Sequence, residues 1–228
     1  MGGFGLYLAF MIPPLLIGLG VQAWLKRTFA KYSEIQIGSG MPGAQVARQI
    51  LERNGLSGVP VEISPDGPLS DHYDPRKKAL FLSEPVYTPP SIAAAAVAAH
   101  ETGHALQDSK GYFPLKLRSA MYPAVAFASN AWMWLLIIGA VLNALNLVVL
   151  ALGLYAVAVA FHLVTLPVEF NASRRASVQL RELGIVGAGE QAGVNKVLTA
   201  AALTYVAGAL AALSMLLYFA MSFLGNRD

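Results

Sequence analysis

Residues 145–168 read LNLVVLALGLYAVAVAFHLVTLPV, and this stretch decides the fold class. It holds no Asp, Glu, Lys or Arg, and His162 is its one histidine. A helix rises 1.5 Å per residue, so about 24 residues reach roughly 36 Å, enough to cross a hydrocarbon core about 30 Å thick. Three more apolar stretches of similar length occupy 4–25, 120–142 and 200–224. The chain is 56% hydrophobic and 13% charged, roughly half the charge of a soluble domain. Buried helices of a soluble bundle do not account for four such runs. The expected fold is a mainly α membrane protein with four transmembrane helices and a small cytoplasmic α/β region between the first two. The first run has no basic stretch before it and no small-residue cleavage pattern, so it reads as a retained anchor. Pro13 and Pro14 are expected to kink it. Between the second and third runs, Asn143-Ala-Leu-Asn146 fits a tight helical hairpin.

Basic residues orient these spans. Every Lys and Arg except Arg227 lies within 26–118 or 174–196. Four spans put both segments on one side, and the positive-inside rule makes that side the cytoplasm of a plasma-membrane protein. Scattered basic residues with no binding motif exclude nucleic acid as a partner. The chain has no cysteine, which removes disulfides and thiolate ligands.

The cytoplasmic region, 26–119, carries its own patterns. Pro42-Gly43-Ala44 opens a helix with Val46, Ala47, Ile50 and Leu51 on one face, and Asn54-Gly55 ends it. Residues 59–63 and 78–83 read as strands of a short hairpin, with Pro65-Asp66-Gly67-Pro68 a turn. The free edge of the second strand could hold an extended peptide by strand addition, with an ordinary structural hairpin as the equal alternative. Pro89, Pro90 and Ser91 then stop the extended chain, and Ser91 caps an Ala-rich helix.

That helix carries His100-Glu101-Thr102-Gly103-His104. Residues four apart share a helix face, so the two imidazoles can grip one metal ion, and Glu101 can reach a water at the ion's open position. Zn2+ suits imidazole donors. Two buried structural histidines are the plainer alternative. A third ligand must come from elsewhere: His72 and His162 are the other histidines, and Glu169 stands out among the downstream carboxylates. Glu169 follows Leu166-Pro167-Val168 where the apolar run ends, so it avoids the cost of burial in lipid. Pairing with Arg174 is its alternative role. Glu182 and Glu190 sit in polar surroundings and read as surface charges within the helical region 169–199.

Together, His100-Glu-Thr-Gly-His104-Ala-Leu-Gln107, Leu166-Pro-Val-Glu169-Phe-Asn-Ala-Ser-Arg-Arg-Ala176, Ser70-Asp-His-Tyr-Asp-Pro75 and Ser91-Ile-Ala-Ala resemble the YugP-type membrane zinc metallopeptidases. The resemblance covers most of the chain, so that 1–228 reads as a single membrane metallopeptidase domain. It implies a gluzincin site in which His100, His104 and Glu169 bind zinc and Glu101 is catalytic. The motifs are also related to HtpX-like and CAAX-processing proteases. Those often carry Asp four residues after the ligand Glu, where this chain has Ser173, so the partner of a ligating His is unassigned.

The implied activity is hydrolysis of peptide bonds in membrane or membrane-proximal polypeptides on the cytoplasmic side. His162, Arg174, Arg175, Tyr155 and the tyrosines of the cytoplasmic region are candidates to steady the oxyanion. An intramembrane protease would supply an Asp-Gly ligand motif from another span, and the only Asp-Gly here is Asp66-Gly67, in a Pro-rich turn. A transporter would place paired polar groups in its spans. A non-catalytic scaffold or chaperone with a metal-stabilised domain is the main alternative, but a structural zinc site needs no Glu101 and usually takes four protein ligands.

Overall fold

The computed structural model describes residues 3–224; Arg227 and the rest of the tail lie outside the described residues. Among the described residues, four helices are long and apolar enough to cross a membrane: Phe4–Ser33, Phe113–Val141, Leu145–Glu182 and Ala188–Phe223. The protein is a mainly α membrane protein. We label the long helices α1 (Gly3–Ser33), α5 (Phe113–Val141), α6 (Leu145–Glu182) and α7 (Ala188–Leu224). All four run past the expected span on one side, α6 and α7 furthest, because nothing in the adjoining polar stretches breaks a helix. Helix α1 is assigned as one continuous helix through Pro13 and Pro14, as is α6 through Pro167.

The chain divides into two compact units, each drawing on these long helices. The first comprises residues up to Val21, Lys116–Pro167 and those from Thr204 on. Its interior joins Trp132 and Leu136 of α5, Val148, Leu152 and Tyr155 of α6, and Ala212 of α7. Asn143 adopts a left-handed conformation (φ 51°) and closes the α5–α6 hairpin. A Cβ at Gly139 would meet the Val148 nitrogen at 2.9 Å, so the hairpin packs backbone on backbone.

The second unit comprises Gln22–Leu115 and Val168–Leu203. Its short elements are α2 (Gly43–Arg53), β1 (Val61–Ile63), β2 (His72–Asp74), β3 (Ala79–Leu82), α3 (Glu84–Tyr87) and α4 (Ile92–Ser109). Helix α2 buries the expected face: Val46, Ala47, Ile50 and Leu51 are all at 1% exposure or less. At α4 the Ser91 hydroxyl accepts from the Ala94 amide at 3.1 Å, the cap expected from sequence. The alanines at 93–96, 98 and 99 are buried, so α4 is enclosed on nearly all sides. Small side chains let neighbouring backbones come close, and Val46 and Ile50 of α2, Ala176 and Leu180 of α6, and Val194 and Val197 of α7 share its core.

The sheet departs from the expected pairing. Strand order is β1-β3-β2, with β1 parallel to β3 (Val61↔Leu80) and β2 antiparallel to it (His72↔Phe81). The hairpin is therefore β2–β3, and 59–63 joins 78–83 side by side. Strand β3 is central and paired on both edges, so it has no free edge for a peptide and the structural alternative holds. The stretch 70–75 explains why. The Asp74 carboxylate accepts from the Arg76 and Lys77 amides at 2.8 and 3.2 Å, building the hairpin turn. Tyr73 donates to Asp108 of α4 at 2.8 Å, and Lys78 pairs with the same carboxylate. The Asp71 carboxylate accepts from the Ser83 amide at 2.7 Å and its hydroxyl at 3.0 Å, and burial holds Asp71 above the usual carboxylate range.

Candidate metal centre

Two helices of the second unit build the site. Helix α4 presents His100 and His104 one turn apart, their rings edge to face with centroids 4.9 Å apart. Helix α6 supplies Glu169, which is 1% exposed. Its Oε2 lies 3.1 Å from His100 Nε2 and 3.6 Å from His104 Nε2. One ligand atom from each of the three residues lies within 4.8 Å of the other two. Such an approach needs the helix backbones to touch, and Gly103 allows it: a Cβ there would sit 2.7 Å from the Ala172 carbonyl oxygen. The glycine inside the H-E-x-x-H stretch is thus a contact point between α4 and α6.

Two imidazole nitrogens and one carboxylate oxygen, converging from rigid helices, are a donor set that suits zinc and leaves a fourth position open. Burial raises the Glu101 carboxyl above its ordinary range, opposed by the neighbouring imidazoles and reinforced by the negative charges of Glu169 and Asp71. At His104 burial alone would favour the neutral ring. The Glu169 carboxylate and the Glu101 charge outweigh it and leave the imidazole more basic than usual.

Several residues with no role assigned from sequence hold the histidines in place. Ser173 Oγ lies 3.1 Å from His100 Nδ1, so the position where related proteases often have Asp does supply the partner of a candidate ligand. Gln107, wholly buried, meets His104 Nδ1 through its Oε1 at 3.0 Å. Its Nε2 donates to the Val168 carbonyl at 2.8 Å and to Asn171 Oδ1 at 3.0 Å. Asn171 Oδ1 also accepts from Arg175 Nε at 2.7 Å. A sequence signal for Ser173 and Gln107 exists in their spacing, four residues after Glu169 and three after His104.

Other sequence candidates lie elsewhere. His72 is on β2, stacked on Phe81 at 5.0 Å with Nδ1 at 2.7 Å from the Ser70 carbonyl, and it is not in the cluster. His162 and Tyr155 belong to the first unit, where Tyr155 packs on Trp132 at 4.3 Å. Arg175 is turned to Asn171, and Arg174 is exposed on the wall of a cavity of about 250 Å³ beside Lys110. Glu182 is exposed. Glu190 is more than a surface charge: its carboxylate accepts from the Gly38 and Gly187 amides and ties the 34–40 segment to the start of α7.

Residues 7–224 match the family described as "Putative neutral zinc metallopeptidase". The chain is 49% identical over 217 residues to "Putative membrane protease YugP" of Bacillus subtilis (strain 168), an alignment covering 93% of this chain and 96% of that protein. No solved structure matches.

Proposed function

We propose a reaction for this chain, which belongs to the neutral zinc metallopeptidase family: hydrolysis of peptide bonds in membrane or membrane-proximal polypeptides, on the cytoplasmic side of the plasma membrane. The observation that carries the reading is the convergence of His100, His104 and Glu169 within 4.8 Å, with Glu101 on the same helix turn. His100, His104 and Glu169 would hold the zinc. Bound there, zinc would supply Lewis acidity for activating a water and polarising the scissile carbonyl. Glu101 takes the proton of the attacking water as the new C–O bond forms. It then delivers that proton to the nitrogen as the C–N bond breaks, so one carboxylate serves both steps. Three ligands among the described residues, rather than four, favour this reading over a zinc site that only stabilises a scaffold.

Topology rests on charge. Basic residues cluster in 26–118 and 174–196, which favours a cytoplasmic position for the regions 26–119 and 169–199. Substrates reach such a site from the membrane or from tails close to it.

Glu101→Gln tests the assignment. Loss of the base removes about 10²–10⁴ of rate or more, and zinc content stays at the wild-type level. Near-wild-type proteolysis of a sensitive membrane-protein substrate by this variant would overturn the mechanism.

A further inference from the structure

We infer that the cavity between the end of α4 and the C-terminal part of α6 holds the phosphate of an anionic membrane lipid, whose acyl chains stay in the bilayer. The inference needs neither the metal nor hydrolysis.

The charges come first. The cavity measures about 250 Å³, and three of its eight lining residues are cations, Lys110, Arg174 and Arg175, with no carboxylate among the eight. Lys110 is the C-cap of α4, where a cation also offsets the negative helix end. That role accounts for one charge, but not for the two arginines that α6 brings to the same cavity. Among the described residues none of the three makes an ion pair. Asp108, two residues before Lys110, is held by Lys78 and Tyr73. Like charges gathered in one concavity repel and focus a positive field there, which an anion relieves.

The uncharged lining groups are set for the same ligand. Arg175 Nε can only donate, so Asn171 gives it Oδ1 at 2.7 Å, and Gln107 Nε2 donates to that oxygen at 3.0 Å. Asn171 is left with its amide hydrogens. The Ile50 carbonyl can only accept, so the Asn54 atom 2.8 Å away is Nδ2, which also donates to Gln179 Oε1 at 2.7 Å. Gln179 is left with its amide hydrogens too. Two guanidinium groups, one ammonium and two amide NH2 groups match the oxygens of a phosphate, which Arg can hold in bidentate fashion. Asn54 Oδ1 remains as an acceptor for a headgroup hydroxyl.

Position selects a lipid over a soluble anion. Arg174 stands six residues past the apolar run 145–168, about 9 Å along a helix, and a headgroup layer is roughly 5–8 Å deep. Long basic side chains span the difference. Phe113, three residues past Lys110, is 71% exposed where α5 begins, as suits an aromatic side chain at the membrane surface. The cavity is also smaller than the about 300–1,000 Å³ of a site for a drug-sized ligand, so it takes a headgroup and leaves the chains outside.

The test uses the full-length protein in nonionic detergent and counts bound lipid by native mass spectrometry. Dioctanoyl phosphatidylglycerol, dioctanoyl phosphatidylcholine and inorganic phosphate are titrated separately. The wild type is expected to retain about one phosphatidylglycerol per chain at concentrations where neither of the others is retained. The double variant Lys110→Gln/Arg174→Gln changes two exposed side chains and is expected to weaken that binding about tenfold or more. Lys196→Gln removes one exposed charge from α7, outside the cavity, and is expected to change it by less than about twofold. Equal retention of phosphatidylglycerol and phosphatidylcholine by the wild type overturns the inference, whether or not the double variant folds. Unchanged affinity in a folded double variant does the same. Inorganic phosphate held as tightly as phosphatidylglycerol reassigns the cavity to a soluble anion and sinks the lipid reading. So does a synthetic peptide with a free C-terminal carboxylate that binds the wild type in place of the lipid and loses affinity in the double variant, since the cavity would then belong to substrate.

Discussion

In the first unit Phe127 and Trp134 of α5 are each 68% exposed, whereas in the second unit the alanines at 93–96 of α4 are wholly buried. Large apolar residues are thus left outward on α5 even though Trp132 and Tyr155 fill the interior of that unit, while small ones line α4 in a core that also buries Ile50 and Leu51. A soluble protein would not leave side chains of that size so exposed, since burying them gives the greater return. Lipid accounts for the first unit: a hydrocarbon solvent takes the large side chains at little cost. The need to bring two backbones together accounts for the second. There, α4 must approach α6 closely enough for His100 and His104 to reach Glu169, and each added methyl group would push them apart.

The units should therefore respond differently to substitution. Ile50 of α2 is fully buried in the core around α4, and Ile50→Ala should cost about 2–5 kcal/mol, read as a lowered unfolding midpoint in detergent. A loss below about 1 kcal/mol would mean that this core is looser than its packing implies. At Gly103 a methyl group would stand 2.7 Å from the Ala172 carbonyl oxygen. Gly103→Ala should cost about 1–3 kcal/mol and loosen zinc, because the strain falls on the contact that positions the ligands. Unchanged zinc retention there would show that the site does not depend on this approach. The smallest effect belongs to the lipid-facing side: Phe127→Leu should shift stability by no more than about 0.5 kcal/mol. A large shift would reveal a protein contact at that face.

The same contrast explains what could be read from sequence. Spans depend on composition along one segment, so 145–168 and its three counterparts were legible from hydropathy. The α2 face and the Ser91 cap are local patterns and were legible too. Strand β2 was not: three residues, His72 to Asp74, none of them buried, carry no periodic signal. Without it, 59–63 is the only visible neighbour for 78–83, although the antiparallel partner of β3 is β2. Residues His100, Glu101 and His104 were visible because they share one helix turn. The Gln107 contacts with Val168 and Asn171 join residues more than 60 apart in sequence, and no local pattern announces them. Ser173 was conspicuous as a departure from the Asp of related proteases, and the structure shows its hydroxyl against His100.

Zinc content most directly tests the claim that α4 and α6 jointly form a metal site. The measurement is metal per chain after mild dialysis for wild type, Glu169→Ala and Glu182→Ala, each purified as the full chain. Glu182 is exposed on the same helix, and losing a surface charge costs about 0–1 kcal/mol and no ligand. Removing a buried anionic donor would take away one of the three proposed ligands. The account predicts about one zinc per chain for wild type and Glu182→Ala, and loss of most of it from Glu169→Ala. Stoichiometric, tightly held zinc and full activity in Glu169→Ala would contradict it.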